Sequence, residues 1–247
     1  MKRAVTAAAV ALIAFPGFAT AQAAASSMDA PVWGPRIRVT PFVGHAPAVS
    51  RTERWTFTSG GQQSTARYDV DLASGWAGGA SVEVQLVDAL AFIGEGLYVT
   101  RGRTREESPD VGDRFEHEGS NFIMAKAALA LRLREEISEL QLRTLTATVF
   151  AGPAWVREMP KDDAFSDPIL LESQSYWGLN FGVNAALPIG WDGVALQGGV
   201  EDFFVWWNKD ELAARNDALL GGATTSLVDT DPSHMWIFRV GLSFTMQ

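Results

Sequence analysis

The sequence predicts an all-β chain, a closed antiparallel up-and-down transmembrane β-barrel of eight strands with short turns at one end and long loops at the other. Three observations lead there. Apolar residues alternate with small or polar ones at period 2 in segment after segment, which is the pattern of strands with two unlike faces. The connections between those segments alternate strictly between long and short, as expected where hairpins end on opposite sides of a membrane. Tryptophan and tyrosine gather at one end of the strands, yet no segment after the amino terminus approaches the roughly 20 consecutive apolar residues of a spanning helix.

The elements follow in chain order. Lys2 and Arg3 precede an apolar run from Ala4 to Phe18, then Ala21-Gln22-Ala23 offers an A-x-A cleavage site. This is the layout of a secretory signal peptide. The expected organisation is therefore a signal peptide over 1–23, a short periplasmic segment over 24–34 and a barrel domain over 35–247. The chain has no cysteine, so an exported fold of this size must be held by its sheet, its core or a membrane rather than by disulfides. The same absence excludes thiolate metal sites and cysteine nucleophiles. A net charge of −9 argues against nucleic acid as a partner.

Eight segments carry the alternation: Arg36 to His45, Ser74 to Val87, Leu90 to Arg101, Phe122 to Arg134, Leu140 to Val156, Trp177 to Leu187, Val194 to Trp207 and Trp236 to Phe244. The sixth is the clearest. Trp177, Leu179, Phe181, Val183, Ala185 and Leu187 share one face, while Gly178, Asn180, Gly182, Asn184 and Ala186 share the other. Between segments, His45 to Ala73, Gly102 to Asn121, Arg157 to Ser175 and Asn208 to His234 read as long loops. Asp88-Ala89, Glu135 to Glu139 and Pro188 to Gly193 read as short turns. The acidic stretch Arg105 to Glu118 reads as solvated loop, and Asp210 to Leu220 as a short helix within the last loop.

A soluble periplasmic ligand-binding barrel of lipocalin type would also alternate. The composition of the polar face separates the two. Here it is rich in Gly, Ala, Ser, Thr and Asn, whereas a solvated exterior would carry abundant Lys and Glu. Small residues suit the narrow interior of an eight-stranded barrel. The exterior is then the apolar face. Trp76, Tyr98, Trp155, Trp177 and Trp236 lie on that face near the external end of their strands, forming most of an interfacial ring. The seventh strand leaves two options. Asp202 shares the apolar face of Leu196, Gly198 and Val200, so either a bulge at Glu201-Asp202 turns Phe203, Val205 and Trp207 outward, or Asp202 sits near the rim.

The inward set contains Arg38, Glu83, Glu95, Lys126, Arg132, Glu201 and Arg239. Neighbouring strands pair Arg38 with Glu83, Glu95 with Lys126 and Glu201 with Arg239, as buried ions require. Such a set is either a plug, which leaves function to the outer surface, or the lining of a narrow channel for small ions or solutes. A third class is an outer-leaflet lipid-modifying enzyme. The histidines His45, His117 and His234 are ill spaced for a metal site. Ser233 and His234 are adjacent, so their side chains diverge in an extended chain. No nucleophile elbow, phosphate loop or zinc-protease motif appears, and no catalytic residue, metal or cofactor is expected.

On this topology, the aromatic ring, the inward Glu/Lys/Arg set and the alternating last strand, the chain resembles the eight-stranded outer-membrane barrel superfamily, that is, the membrane domain of the OmpA-like proteins and related small barrels. The resemblance implies a non-enzymatic protein in the outer membrane of a Gram-negative-type bacterium, contacting its lipid and lipopolysaccharide. It also implies insertion by the barrel assembly machinery, guided by the strand Trp236 to Phe244. No pattern in the loops identifies an external partner.

Overall fold

The computed structural model describes residues 36–110, 112, 114–135, 145–161, 173–189, 191–213 and 224–246. The amino-terminal unit Met1–Gly34, with the expected signal peptide, lies outside them. In chain order the strands are β1 (Ile37–Ala46), β2 (Val49–Ser59), β3 (Gln62–Leu72), β4 (Gly75–Val87), β5 (Leu90–Arg101), β6 (Thr104–Glu107), β7 (Arg114–His117), β8 (Ser120–Glu135), β9 (Leu145–Pro160), β10 (Gln174–Pro188), β11 (Val194–Trp206), β12 (Thr224–Thr230) and β13 (Ser233–Met246). A short helix, α1, covers residues 209–213.

Eight of these strands close on themselves in the order β1-β13-β11-β10-β9-β8-β5-β4. Every pairing is antiparallel, and β1 seals the barrel against β13 through Val39↔Phe244 and Val43↔Val240. Burial alternates along each stave. In β10, Tyr176, Gly178, Asn180 and Asn184 are buried while Trp177, Leu179, Phe181 and Val183 are exposed. The exposed set is the apolar one, as a barrel with an apolar exterior requires. Both ends of the barrel sequence and the tight links at 88–89 and 189–193 lie at one end; the long connections leave the other.

Three of those long connections are not plain loops; the core of the fourth, 162–172, lies outside the described residues. The His45 to Ala73 segment is the hairpin β2–β3, the acidic Arg105 to Glu118 stretch contains the paired strands β6 and β7, and the last connection contains β12 after α1. Together they build a five-stranded sheet in the order β12-β2-β3-β6-β7. The expected helix over Asp210 to Leu220 is present over 209–213; the rest of that span lies outside the described residues. Likewise the barrel staves outrun the expected segments at the long-connection end, β9 reaching Pro160 and β10 beginning at Gln174.

The local reason is legible in β2 and β3. Ser59-Gly60-Gly61-Gln62 is a two-residue hairpin, and both glycines take positive φ (58° and 80°), which glycine alone adopts without cost. No atom stands within 4 Å of a Cβ added at Gly61, so Gly61→Ala meets backbone strain alone. We expect it to cost about 1–2 kcal/mol, read as increased amide exchange in β2 and β3; unchanged protection would refute the turn assignment.

The sheet and barrel share a core. Trp55, Leu72 and Leu227 of the sheet and Leu212 of α1 are buried with Phe42, Leu97, Phe122, Met124, Tyr176, Phe203, Met235 and Ile237 of the barrel interior. The upper half of the lumen is thus filled by large apolar side chains rather than the small and polar ones expected. Towards the short-turn end, Ala91, Ile93, Ala128, Ala130 and Phe150 form a second cluster, and Thr40 donates a 3.0 Å hydrogen bond to Gln197 Oε1.

Candidate functional site

Four charged side chains meet in the lumen. Glu95 on β5 and Lys126 on β8 face each other across the strand pair, with Lys126 Nζ 3.2 Å from Glu95 Oε1. On the far wall, Arg239 Nη1 of β13 lies 3.2 Å from Glu201 Oε1 of β11. The two pairs also join across the lumen. Lys126 donates to Glu201, and Arg239 donates to Glu95. The result is a neutral quartet of two cations and two carboxylates, with side chains 0–4% exposed.

Surrounding groups complete the quartet. Asn180 Nδ2 donates to Glu201 Oε2 at 3.1 Å, and Arg239 Nη2 donates to Asn184 Oδ1 at 3.1 Å. Lys126 Nζ sits 4.1 Å from the Phe150 ring centroid and the Arg239 guanidinium 4.7 Å from that of Phe42, within cation–π range. Gly182 makes the room. A Cβ there would lie 2.7 Å from Phe150 Cζ and 2.8 Å from Glu201 Cβ.

The remaining inward charges form a second group towards the short turns. Glu83 is shared by two arginines, Arg38 Nη1 at 3.6 Å and Arg132 Nε at 3.1 Å. Arg132 Nη1 also donates to Gln85 Oε1 at 2.6 Å.

On the outer face, Trp76 and Trp177 are 69% and 67% exposed. Tyr98 is exposed, and Trp155 and Trp236 are half-buried. Trp177 stands opposite both Trp155 and Trp206 in register. Trp206 is outward and exposed too, whereas the sequence periodicity pointed to Trp207. The pairing of β11 runs without a bulge through Glu201 and Asp202 on both sides. Phe203, Val205 and Trp207 therefore point inward and are buried. Asp202 keeps the outer face, where it is nevertheless wholly buried. His234 Nδ1, 2.5 Å from Asp202 Oδ2, supplies the partner that an outward carboxylate needs.

Ser233 and His234 diverge. Ser233 is buried and its Oγ accepts a 2.8 Å hydrogen bond from Trp207 Nε1 inside the barrel, while His234 points out with its side chain 54% exposed. They do not form a nucleophile–base pair. Among the described residues no group of three or more His, Cys, Asp or Glu could hold a metal ion.

Two features fasten the sheet to the barrel: one in the His45 to Ala73 segment expected as loop, the other at Arg101, the last residue of an expected strand. Arg51 stacks 4.1 Å over the Trp207 ring and donates to Glu53 Oε1 at 2.6 Å, while Trp55 Nε1 donates to Glu53 Oε2 at 2.8 Å. The Glu53 and Glu158 carboxylates outweigh burial and raise the Arg51 pKa above its usual value. Arg101, three residues past Tyr98 and beyond the aromatic ring, donates from Nη1 to Pro47 O at 2.9 Å and Ala73 O at 3.0 Å, the two points where the chain leaves and rejoins the barrel. Burial pulls its pKa down to about 10, so it is still charged at neutral pH. Arg101→Met should loosen the sheet by about 1.5–3 kcal/mol, the range for hydrogen bonds from a charged donor. Hydrogen exchange would read this as faster exchange in β2 and β3; wild-type protection there would rule out the anchoring role.

No family model matches the chain, and no curated protein does. Solved structures do. The outer-membrane protein OprG of Pseudomonas aeruginosa superposes with a TM-score of 0.55 at 10% identity, over 87% of this chain and 97% of that one. The amino-terminal β-barrel domain of Pseudomonas aeruginosa OprF matches with a TM-score of 0.42 at 9% identity, over 81% and 99%. The outer-membrane protease OmpT of Escherichia coli matches at 0.41 and 9%, over 85% and 97%. By fold, the chain is a small, eight-stranded barrel of the outer-membrane type.

Proposed function

We propose that this chain is an integral outer-membrane protein with a closed lumen, whose role is to hold a folded β-sheet outside the membrane as an interaction surface. The observation that carries the reading is the quartet of Glu95, Lys126, Glu201 and Arg239, which is tied from wall to wall and excludes solvent. Above it the lumen is packed with apolar side chains continuous with the core of the external sheet. A path for water would have to break both.

The outward face supports membrane insertion. Val82, Leu129, Leu131, Phe181, Val183 and Val240 are all exposed, with others, as a belt too large for a soluble monomer. Outer-membrane lipid and lipopolysaccharide are the natural neighbours of this belt. Residues 1–23 direct export, and β13 guides insertion by the barrel assembly machinery. The aromatic ring at the long-connection end marks the outer interface.

The test is conductance in planar bilayers. Wild-type protein, Glu83→Ala and Glu201→Ala should all give no unitary current; stepwise current through the wild type would establish the channel reading instead. Fractionation tests insertion, since recovery as a soluble periplasmic protein without detergent would refute it. For the enzyme reading, purified barrel should release no lipid product, in keeping with Ser233 held inside the barrel by Trp207.

A further inference from the structure

On the outer face, β11 and β13 carry a two-by-two block of side chains. Asp202 stands opposite Trp236, and Phe204 opposite His234. Trp206 follows one step further out on β11 and is exposed. Asp202 is wholly buried, and among the described residues its ion-pair partner is His234, with no lysine or arginine beside it. We propose that this block binds the primary ammonium group of an outer-leaflet lipid headgroup.

Charge is the first reason. The Asp202 carboxylate engages His234 Nδ1 at 2.5 Å. An ionised carboxylate only accepts hydrogen bonds, so Nδ1 carries the hydrogen and the neutral ring presents a lone pair on Nε2. The His234 side chain is 54% exposed, which leaves that lone pair reachable from the lipid side. The pair then holds one negative charge on a wall where Phe181, Phe238 and Val240 are exposed. A charge against hydrocarbon is unfavourable. A cation that also carries N–H cancels the charge and donates to Nε2 in one contact.

The aromatic surround is the second reason. The Phe204 ring centroid lies 4.9 Å from that of His234 and 5.2 Å from that of Trp206, edge-on to the indole. Aromatic faces attract ammonium groups through the ring quadrupole. Position adds a third reason. His234 lies two residues outward of Trp236, a member of the aromatic ring, on the same strand, and so reaches the level of the headgroups. The acceptor at Nε2 requires a hydrogen. It therefore favours a primary ammonium, such as that of ethanolamine, over quaternary choline, which has none to donate.

His45 supplies an internal contrast. It is exposed on the same outer face and packs edge-on to Trp76 with centroids 5.8 Å apart, but no carboxylate bonds its ring among the described residues. The site rests on the lipid-facing exterior proposed above, and flotation separates the two failures. Barrel that does not float with vesicles overturns that exterior and this site with it. Barrel that floats without the headgroup contact overturns this site alone.

The experiment places full-length barrel, its histidine nitrogens isotope-labelled, in vesicles of phosphatidylcholine and phosphatidylethanolamine with labelled ethanolamine carbons. Solid-state NMR then reads dipolar dephasing of the imidazole nitrogens by those carbons, at about pH 8, where an ordinary imidazole is neutral. Dephasing is expected at His234, identified by its loss in His234→Gln, and not at His45. Spin-labelled lipids give a second readout. Phosphatidylethanolamine should be immobilised about threefold more than phosphatidylcholine, in the range of an exposed cation–π contact. Asp202→Asn removes the charge and should abolish the preference. Trp206→Leu leaves the Asp202–His234 pair untouched and should reduce the preference about twofold. Equal dephasing at His45 and His234 would mark headgroup proximity alone and overturn the proposal. Equal immobilisation of the two lipids would overturn it too, as would a preference that Asp202→Asn and Trp206→Leu leave unchanged.

Discussion

Glu201→Ala is expected to destabilise the folded barrel by about 3–5 kcal/mol, the cost of breaking a buried ion pair by removing one partner. The variant leaves Lys126 and Arg239 sharing Glu95 alone, in a space without water and with both side chains at most 4% exposed. It also removes one of the two acceptors of Asn180 Nδ2, leaving only Asp202 O. Urea unfolding of barrel refolded into lipid vesicles gives the measurement. The companion double variant, Glu201→Ala with Lys126→Met, restores neutrality with one cation and one carboxylate still bonded, and should recover most of the loss. That recovery is the diagnostic part, because a simple cavity effect would grow rather than shrink when a second residue is changed. A loss below about 1 kcal/mol for the single variant would put it in the range of exposed ion pairs. It would mean that water or a counter-ion reaches the quartet, and the closed-lumen reading would fall.

Val183→Arg should cost about 2–4 kcal/mol in the same assay, the penalty for a cation on the lipid face near the bilayer midplane. Val183 points outward, is 46% exposed and lies midway along β10 between Trp177 and Pro188. On a soluble barrel the same change would place a charge in water and alter stability by no more than about 0.5 kcal/mol. The substitution thus separates a lipid-facing exterior from a solvated one without reference to any partner. Asn184, the next residue, faces inward and holds Arg239, so the contrast between successive positions belongs to the strand's two faces.

Much of the barrel was legible because its signals are local. Period 2 in β10 fixes which of Trp177 and Asn180 faces out once the apolar face is known to be exterior, and a one-residue slip would reverse every position. The alternation of long and short connections gave the up-and-down order. Adjacent-strand reasoning also put Glu95 beside Lys126 and Arg38 beside Glu83, since a neighbour on the next stave needs only a register. The hairpin β2–β3 carried an equally local signal in Gly60-Gly61 between two alternating runs. Connection length alone does not distinguish such a hairpin from a loop; the glycine turn does.

What the sequence by itself determined is the number of staves, their two faces, the outward aromatics and the presence of unlike charges inside. Only the tertiary structure decided which charges meet. Lys126 reaches Glu201, and Arg239 reaches Glu95, across a lumen whose width and stagger follow from closing eight tilted strands, a property of the whole ring that no pair of segments encodes. Closure likewise decided the phase of β11. Asp202 stays on the outer face because the register with β10 and β13 is continuous on both sides, and because His234 on the next stave satisfies its carboxylate. The external sheet is the same case. The hairpins β2–β3 and β6–β7 and the strand β12 come from three separate connections, and they join into one sheet only where the barrel gathers those connections at one end.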